Sequence, residues 1–221
     1  MKTLILPDIH HKIALAQSLI NNIEHDKVIH LGDHQDDFGD GPEQAINTML
    51  WTKQRIEAGD TFILGNHDLM YMFPNAKFIC SGYTRSKAIA LSGKFQDVLT
   101  RINLWVREQG WWLSHAGFQP KWVKNGKPLY SSEDLLASLL AGEAPPMATE
   151  VGECRGGEMR AKGGLTWLDW YDEFEDIPGF PQIVGHSQGR QPRQKGVSWC
   201  IDTGLHHYGM ITDGEFSVHE V

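Results

Sequence analysis

The sequence predicts an α/β fold, on three observations. Apolar runs of strand length alternate with amphipathic helical stretches over the first 70 residues, which is the pattern of parallel strands joined by crossover helices. Five apolar runs (TLILPDIH, VIHLGDHQDD, TFILGNHD, WWLSHAG and QIVGHSQ) each end in a residue able to hold a metal. Open α/β sheets carry their working residues on the loops past the carboxyl ends of strands, so these five can meet in one cleft. The length of 221 residues suits one domain rather than two.

The first strand runs from about Thr3 to Leu6 and leads into a helix from about His11 to Ile23, where Ile13, Ala16, Leu19, Ile20 and Ile23 recur at helical spacing. A second strand near Val28 to Leu31 enters the polar loop HQDDFGDGP. A helix from about Glu43 to Ala58 follows, stopped by Gly59-Asp60, and the third strand is Phe62 to Leu64. Past GNHD the spacing predicts a helix from about Phe95 to Glu108, then a strand at Trp111 to Leu113. The stretch from Gly117 to about Pro181 is rich in Pro, Gly and Trp, with a short helix near Glu133 to Leu140. It reads as an insertion over the cleft within a single domain spanning 1–221. The end returns to strands at Gln182 to Val184, Val197 to Ile201, Tyr208 to Thr212 and Phe216 to Val218, the last two turned at Asp213-Gly214.

Composition narrows the function. The net charge of −8 and the lack of any Lys/Arg block argue against a stable nucleic-acid complex or an anionic membrane surface. Cys80, Cys154 and Cys200 are odd in number, widely spaced and in no CxxC pair, so they read as idle thiols of a reducing compartment. Pro7 and Asp8 cut the first apolar stretch too short for a signal peptide or a membrane span. The expectation is a soluble cytoplasmic protein. Neither GxxxxGK[ST] nor GxGxxG is present, so phosphates, if bound, are held by something other than a glycine-rich loop.

Metal is the candidate holder. Asp8 and His10 point to one side of an extended segment and can grip one ion, although such a triplet also occurs without metal. Asp33 follows Gly32, and its two oxygens can bridge two ions; a capping aspartate is the rival reading. In Gly65-Asn66-His67-Asp68, Asn66 offers a neutral amide oxygen, while His67 stands beside the ions, free to give up a proton. Asp68 reads otherwise as a helix cap. His115 and His186 each follow an apolar strand and precede or follow glycine.

The order PDIH, GDHQDD, GNHD, SHAG, GHSQ resembles the calcineurin-like metallophosphoesterases, from about Leu4 to Gly204. The ending CIDTGLHHYGMIT resembles the branch of serine/threonine phosphoprotein phosphatases and symmetrical dinucleoside tetraphosphate hydrolases. The resemblance implies a four-layer sandwich of two packed, mixed β-sheets flanked by helices. It implies that Asp8 and His10 hold a first metal, that Asp33 bridges, and that Asn66, His115 and His186 hold a second. It makes His67 the general acid, oriented by Asp36. Hydrolysis would then proceed by attack of a hydroxide held between two divalent ions. The mixed N and O ligands favour Mn²⁺ first, with Fe, Zn²⁺ or Mg²⁺ as alternatives.

Two departures shape the substrate expectation. Where the phosphoprotein phosphatases read GDxxDRG, with an arginine for the substrate phosphate, this chain has Asp37. Where many members read GHxH, it has Gln188. Arg155 and Arg190 are the cations chosen to meet phosphate, with Arg160 and Arg193 as further candidates. The substrate class is a dinucleoside polyphosphate or another small phosphorylated molecule; a phosphoprotein phosphatase and a catalytically silent metal-binding scaffold are the rival readings.

Overall fold

The computed structural model describes residues 1–74 and 79–221. Thirteen strands are found among them. They are β1 (Lys2–Leu6), β2 (Lys27–His30), β3 (Thr61–Ile63), β4 (Ile102–Asn103), β5 (Trp105–Glu108), β6 (Trp111–Ser114), β7 (Val123–Lys124), β8 (Lys127–Pro128), β9 (Gln182–Val184), β10 (Arg193–Lys195), β11 (Ser198–Cys200), β12 (His207–Thr212) and β13 (Glu215–Glu220). The α-helices are α1 (Ile13–Asn22), α2 (Pro42–Glu57), α3 (Asn66–Met72), α4 (Arg85–Leu91), α5 (Ser132–Leu140) and α6 (Pro146–Thr149).

Two mixed sheets hold the molecule. One has the order β13-β12-β1-β2-β3-β4, with β1 to β4 parallel and β12 and β13 antiparallel. The other has the order β10-β11-β9-β6-β5, parallel at its centre and antiparallel at both edges. β7 and β8 form a separate small hairpin.

β1 shows why the sheets stack. Its side chains alternate between faces. Leu4 and Leu6 pack with Ala16, Leu19 and Ile20 of α1, while Ile5 joins Ile29, Ile63, Leu113, Ile183 and Ile201 from both sheets. Both faces are covered, so the strand reads as a continuous apolar run. Each such side chain contributes roughly 1.5–3 kcal/mol on burial. The predicted hairpin is present, and both Asp213 and Gly214 have positive φ, as a tight two-residue turn requires.

The helix expected from about Phe95 to Glu108 does not form. Only Leu99–Arg101 makes a single 3₁₀ turn, after which the chain is extended through β4 and β5. The segment Ile-Asn-Leu-Trp-Val is rich in β-branched and aromatic residues, and Gln109-Gly110, both at positive φ, turns β5 back against β6. Apolar spacing compatible with a helix lost to sheet pairing. α3, α4 and β10 were not foreseen by the spacing at all. Among the described residues no helix is long and apolar enough to cross a membrane.

Candidate metal centre

All six candidate ligands follow strand ends. Asp8 and His10 lie past β1, Asp33 past β2, Asn66 at the start of α3 past β3, His115 directly after β6, and His186 past β9. Three of these strands belong to one sheet and two to the other, so the centre sits where the carboxyl ends of both sheets meet.

The structure brings the six together. Donor atoms of Asp8, His10 and Asp33 lie within 4.8 Å of one another, and those of Asp33, His115 and His186 do the same. Asp33 is common to both groups. His115 Nε2 lies 3.2 Å from Asp33 Oδ2, 3.0 Å from Asn66 Oδ1 and 3.2 Å from His186 Nδ1. Backbone partners aim the imidazoles: His115 Nδ1 meets the Leu31 carbonyl at 2.8 Å and His10 Nδ1 meets the Asp36 carbonyl at 2.6 Å, leaving each Nε2 for the centre.

The loops are tightly wound. His10, Asp33, Asp36 and His186 all have positive φ, which costs each roughly 1–2 kcal/mol in a non-glycine residue. Glycines make room: a Cβ on Gly65 would collide with the Asp33 carboxylate, and one on Gly185 with the Asp8 carboxylate.

The donor set fits cations. Asp8 and Asp33 are 1% exposed and His115 is fully buried, so lone pairs converge away from water. Burial, with Asp202 and Asp33 nearby, pushes the Asp8 carboxyl well above its ordinary value. Burial opposes charge on Asp33 too, but His115, His67 and His10 hold it well below the usual carboxylate range. Burial alone would lower His115, yet the Asp33 and Asp8 carboxylates raise it to about 9. In the protein by itself, a proton on His115 does the work of a cation among these oxygens and nitrogens. His186, by contrast, is lowered well below its ordinary value by burial, His115 and Arg155, and its buried Nε2 has no hydrogen-bond partner among the described residues. Its Nδ1, 3.2 Å from His115 Nε2, is the nitrogen that faces the cluster, and a neutral imidazole gathered with carboxylates out of water matches a site built for metal.

Beside the ligands, His67 Nδ1 lies 3.2 Å from Asp36 Oδ2, and the two rings of His10 and His67 meet edge to face at 5.1 Å. Asp33 Oδ1 accepts the His67 backbone N–H at 2.8 Å. Asp68 does not cap its own helix. Its carboxylate accepts from the backbone N–H groups of His34 and Gln35, fixing the loop that carries Asp33, and burial with Asp33 raises it to about 7.

The arginines divide. Arg155 reaches the cleft, with Nη2 3.0 Å from Ser187 Oγ and 2.7 Å from Asp169 Oδ2. Arg190 is exposed and makes no side-chain hydrogen bond or ion pair among the described residues. Arg193 is tied to Tyr171 and to the Ser187 and Asp202 carbonyls, and Arg160 is exposed. Gln188 and the exposed Asp37 line a small cavity of about 170 Å³ together with His10, His67, Phe38 and Lys12.

Three residues escaped the sequence reading. Lys12 lines that cavity with no side-chain hydrogen bond or ion pair among the described residues; its signal was its place directly after PDIHH. Asp202 is 3% exposed beside Asp8, and burial raises its carboxyl; the DTG of the last motif was its only trace. Lys87, fully buried against Asp36, lies in no motif.

Comparisons with known proteins agree with this frame. Residues 1–187 match the family model for calcineurin-like phosphoesterases. A cold-active protein-tyrosine phosphatase of a psychrophilic Shewanella species is 14% identical, with 98% of this chain and 80% of that chain covered and a TM-score of 0.63. A structure described as a "putative diadenosine tetraphosphatase" is 15% identical, with 99% and 93% covered and a TM-score of 0.52. A metallophosphoesterase from Sphaerobacter thermophilus is 14% identical, with 100% and 88% covered and a TM-score of 0.50. At these identities the likeness is one of fold. No curated protein matches the sequence closely enough to count. The family model spans most of the chain and all five ligand-bearing strand ends, and the chain belongs to the calcineurin-like phosphoesterase family.

Proposed function

We propose that the protein hydrolyses a small phosphoester or phosphoanhydride with the help of two divalent metal ions. The observation that carries this reading is the sharing of Asp33 between two ligand groups, with the His67–Asp36 pair directly beside them. Asp8 and His10 would hold one ion, Asn66, His115 and His186 the other, and Asp33 both. Bound there, the pair supplies positive charge for the phosphoryl oxygens and acidifies water for attack on phosphorus, with Mn²⁺ the first choice for this donor set.

The chain's own groups do the rest. His67, held through Nδ1 by Asp36, presents its other nitrogen to the cavity and gives a proton to the departing oxygen. Lys12 faces the same cavity as a free cation and stands in for the arginine that Asp37 replaces. A cavity of about 170 Å³ accepts a phosphoryl group and little more. On the other side, Arg155 and Trp167 line a groove of about 690 Å³, and the Trp167 ring lies 6.2 Å from that of His186. Glu150 and Glu158 in the groove disfavour further phosphates there, so a neutral, polar group such as a nucleoside suits it. A small molecule that places one phosphoryl group in the cavity and a neutral, polar remainder in the groove is the substrate class that combines these features; a dinucleoside polyphosphate belongs to it only if its further phosphates are met at the ions and Arg155.

The test is turnover by the Mn²⁺-loaded protein of aryl phosphate mono- and diesters and of dinucleoside polyphosphates. His67→Asn should keep its metal yet lose on the order of 10²–10⁴-fold in rate with poor leaving groups and much less with acidic ones. Equal loss for both kinds of ester would sink the acid assignment, and no turnover of any phosphate by metal-loaded protein would favour a scaffold.

A further inference from the structure

A lysine is buried beneath the proposed acid. Lys87 projects inward from α4, and its side chain is 0% exposed. Its Nζ donates to Asp36 Oδ1 and to Asp40 Oδ1, each at 2.6 Å. Asp36 Oδ1 also accepts the Tyr71 hydroxyl at 2.7 Å, while Oδ2 faces His67 Nδ1. Asp40 turns its other oxygen to His11 Nε2 at 2.6 Å, and His11 Nδ1 meets Thr48 Oγ1 at 2.7 Å. An ammonium leaves water only against a heavy desolvation penalty, and here two carboxylates with nearly ideal contacts offset it.

The arrangement does more than dock a helix. Two donors, Lys87 and Tyr71, converge on one oxygen of Asp36, so the carboxylate cannot turn. Its remaining oxygen is left for the imidazole. We infer that Lys87 is a positioning residue: it fixes Asp36 so that His67 is held through Nδ1 with its other nitrogen toward the leaving group. Burial lowers the Lys87 ammonium, but Asp36 and Asp40 outweigh it and raise its pKa, so it stays charged. This inference rests on the reading of His67 as the proton donor.

Lys87→Met, loaded with Mn²⁺, tests it against phenyl phosphate and 2,4-dinitrophenyl phosphate. The expected result is unchanged metal content, a fall of about 10–100-fold in kcat for the phenyl ester, and less than about threefold for the dinitrophenyl ester. In a His67→Asn background the same substitution should add no further loss. A purely structural lysine predicts equal losses for both esters, or the same loss with and without His67, and either result overturns the inference. If Lys87→Met does not fold, Lys87→Met/Asp40→Asn removes one carboxylate together with the ammonium and is read by the same comparison. The two readings fail separately: leaving-group dependence in His67→Asn but none in the Lys87 variant overturns only the positioning role, whereas none in His67→Asn overturns the acid itself.

Discussion

Two clusters of buried charge lie side by side in this protein, and they are balanced differently. Around Asp36 and Asp40, the carboxylates are matched by Lys87 at 2.6 Å and by Tyr71 and His11. Around Asp33, two carboxylates, an amide oxygen and three imidazoles converge, and among the described residues no Lys or Arg pairs with Asp8 or Asp33; His115, raised to about 9, is the main counterweight to Asp33. A cluster closed by the chain's own cation is finished when the chain folds. One that is short of positive charge is finished only by something from outside, and that shortage distinguishes a binding centre from a structural ion pair.

The contrast yields graded expectations. Removing the shared donor should matter most: Asp33→Asn is expected to lose most of its metal, and with it several kcal/mol of charge stabilisation, so activity falls on the order of 10³-fold or more. Elemental analysis finding full occupancy in a folded variant would break the comparison at its centre. In the balanced cluster, Lys87→Met should cost about 3–5 kcal/mol of stability, because two buried carboxylates lose their partner. Urea unfolding with an unchanged midpoint would show that the pair is not holding the fold.

A pH titration of the metal-free protein sharpens the difference. His115 is raised to about 9 in the fold, so its contribution is fully present below its ordinary value near 6.5 and is lost as pH rises through 9. The metal-free protein should therefore lose up to about 3 kcal/mol between pH 6.5 and 9, and saturating Mn²⁺ should flatten that slope. Parallel slopes with and without metal would count against His115 as a ligand. The smallest effect has the opposite sign: Asp8→Asn removes a carboxyl that burial, Asp202 and Asp33 disfavour as an anion, and should stabilise the metal-free protein by about 0.5–2 kcal/mol. A destabilised variant would mean that the bonds Asp8 accepts from the His186 N–H outweigh the repulsion.

Much of the centre was legible because its candidate ligands sit within four residues of strand ends, and the strands themselves are short apolar runs. Asp8, Asp33 and His115 are placed by β1, β2 and β6, whose register follows from local pattern. What was not legible depends on distant packing. Lys87 comes to Asp36 across 51 positions of sequence because α4 lies against α2, and nothing near it marks a buried lysine. Asp202 approaches Asp8 only because the last strands return to both sheets. The misread stretch from Phe95 to Glu108 fails for a related reason: its apolar spacing suits a helix, but β3 and β6 offer edges on which Ile102 to Glu108 pairs instead.

The left-handed residues carry a last consequence. His10, Asp33, Asp36 and His186 are bent into conformations their side chains resist, and the surrounding sheets hold them there. Any grip these residues have on a cation is thus borrowed from the sandwich. Any substitution that softens the packing of Ile5, Ile63 or Ile183 lets these corners unwind first, so cation affinity would fade at temperatures where the fold as a whole still stands.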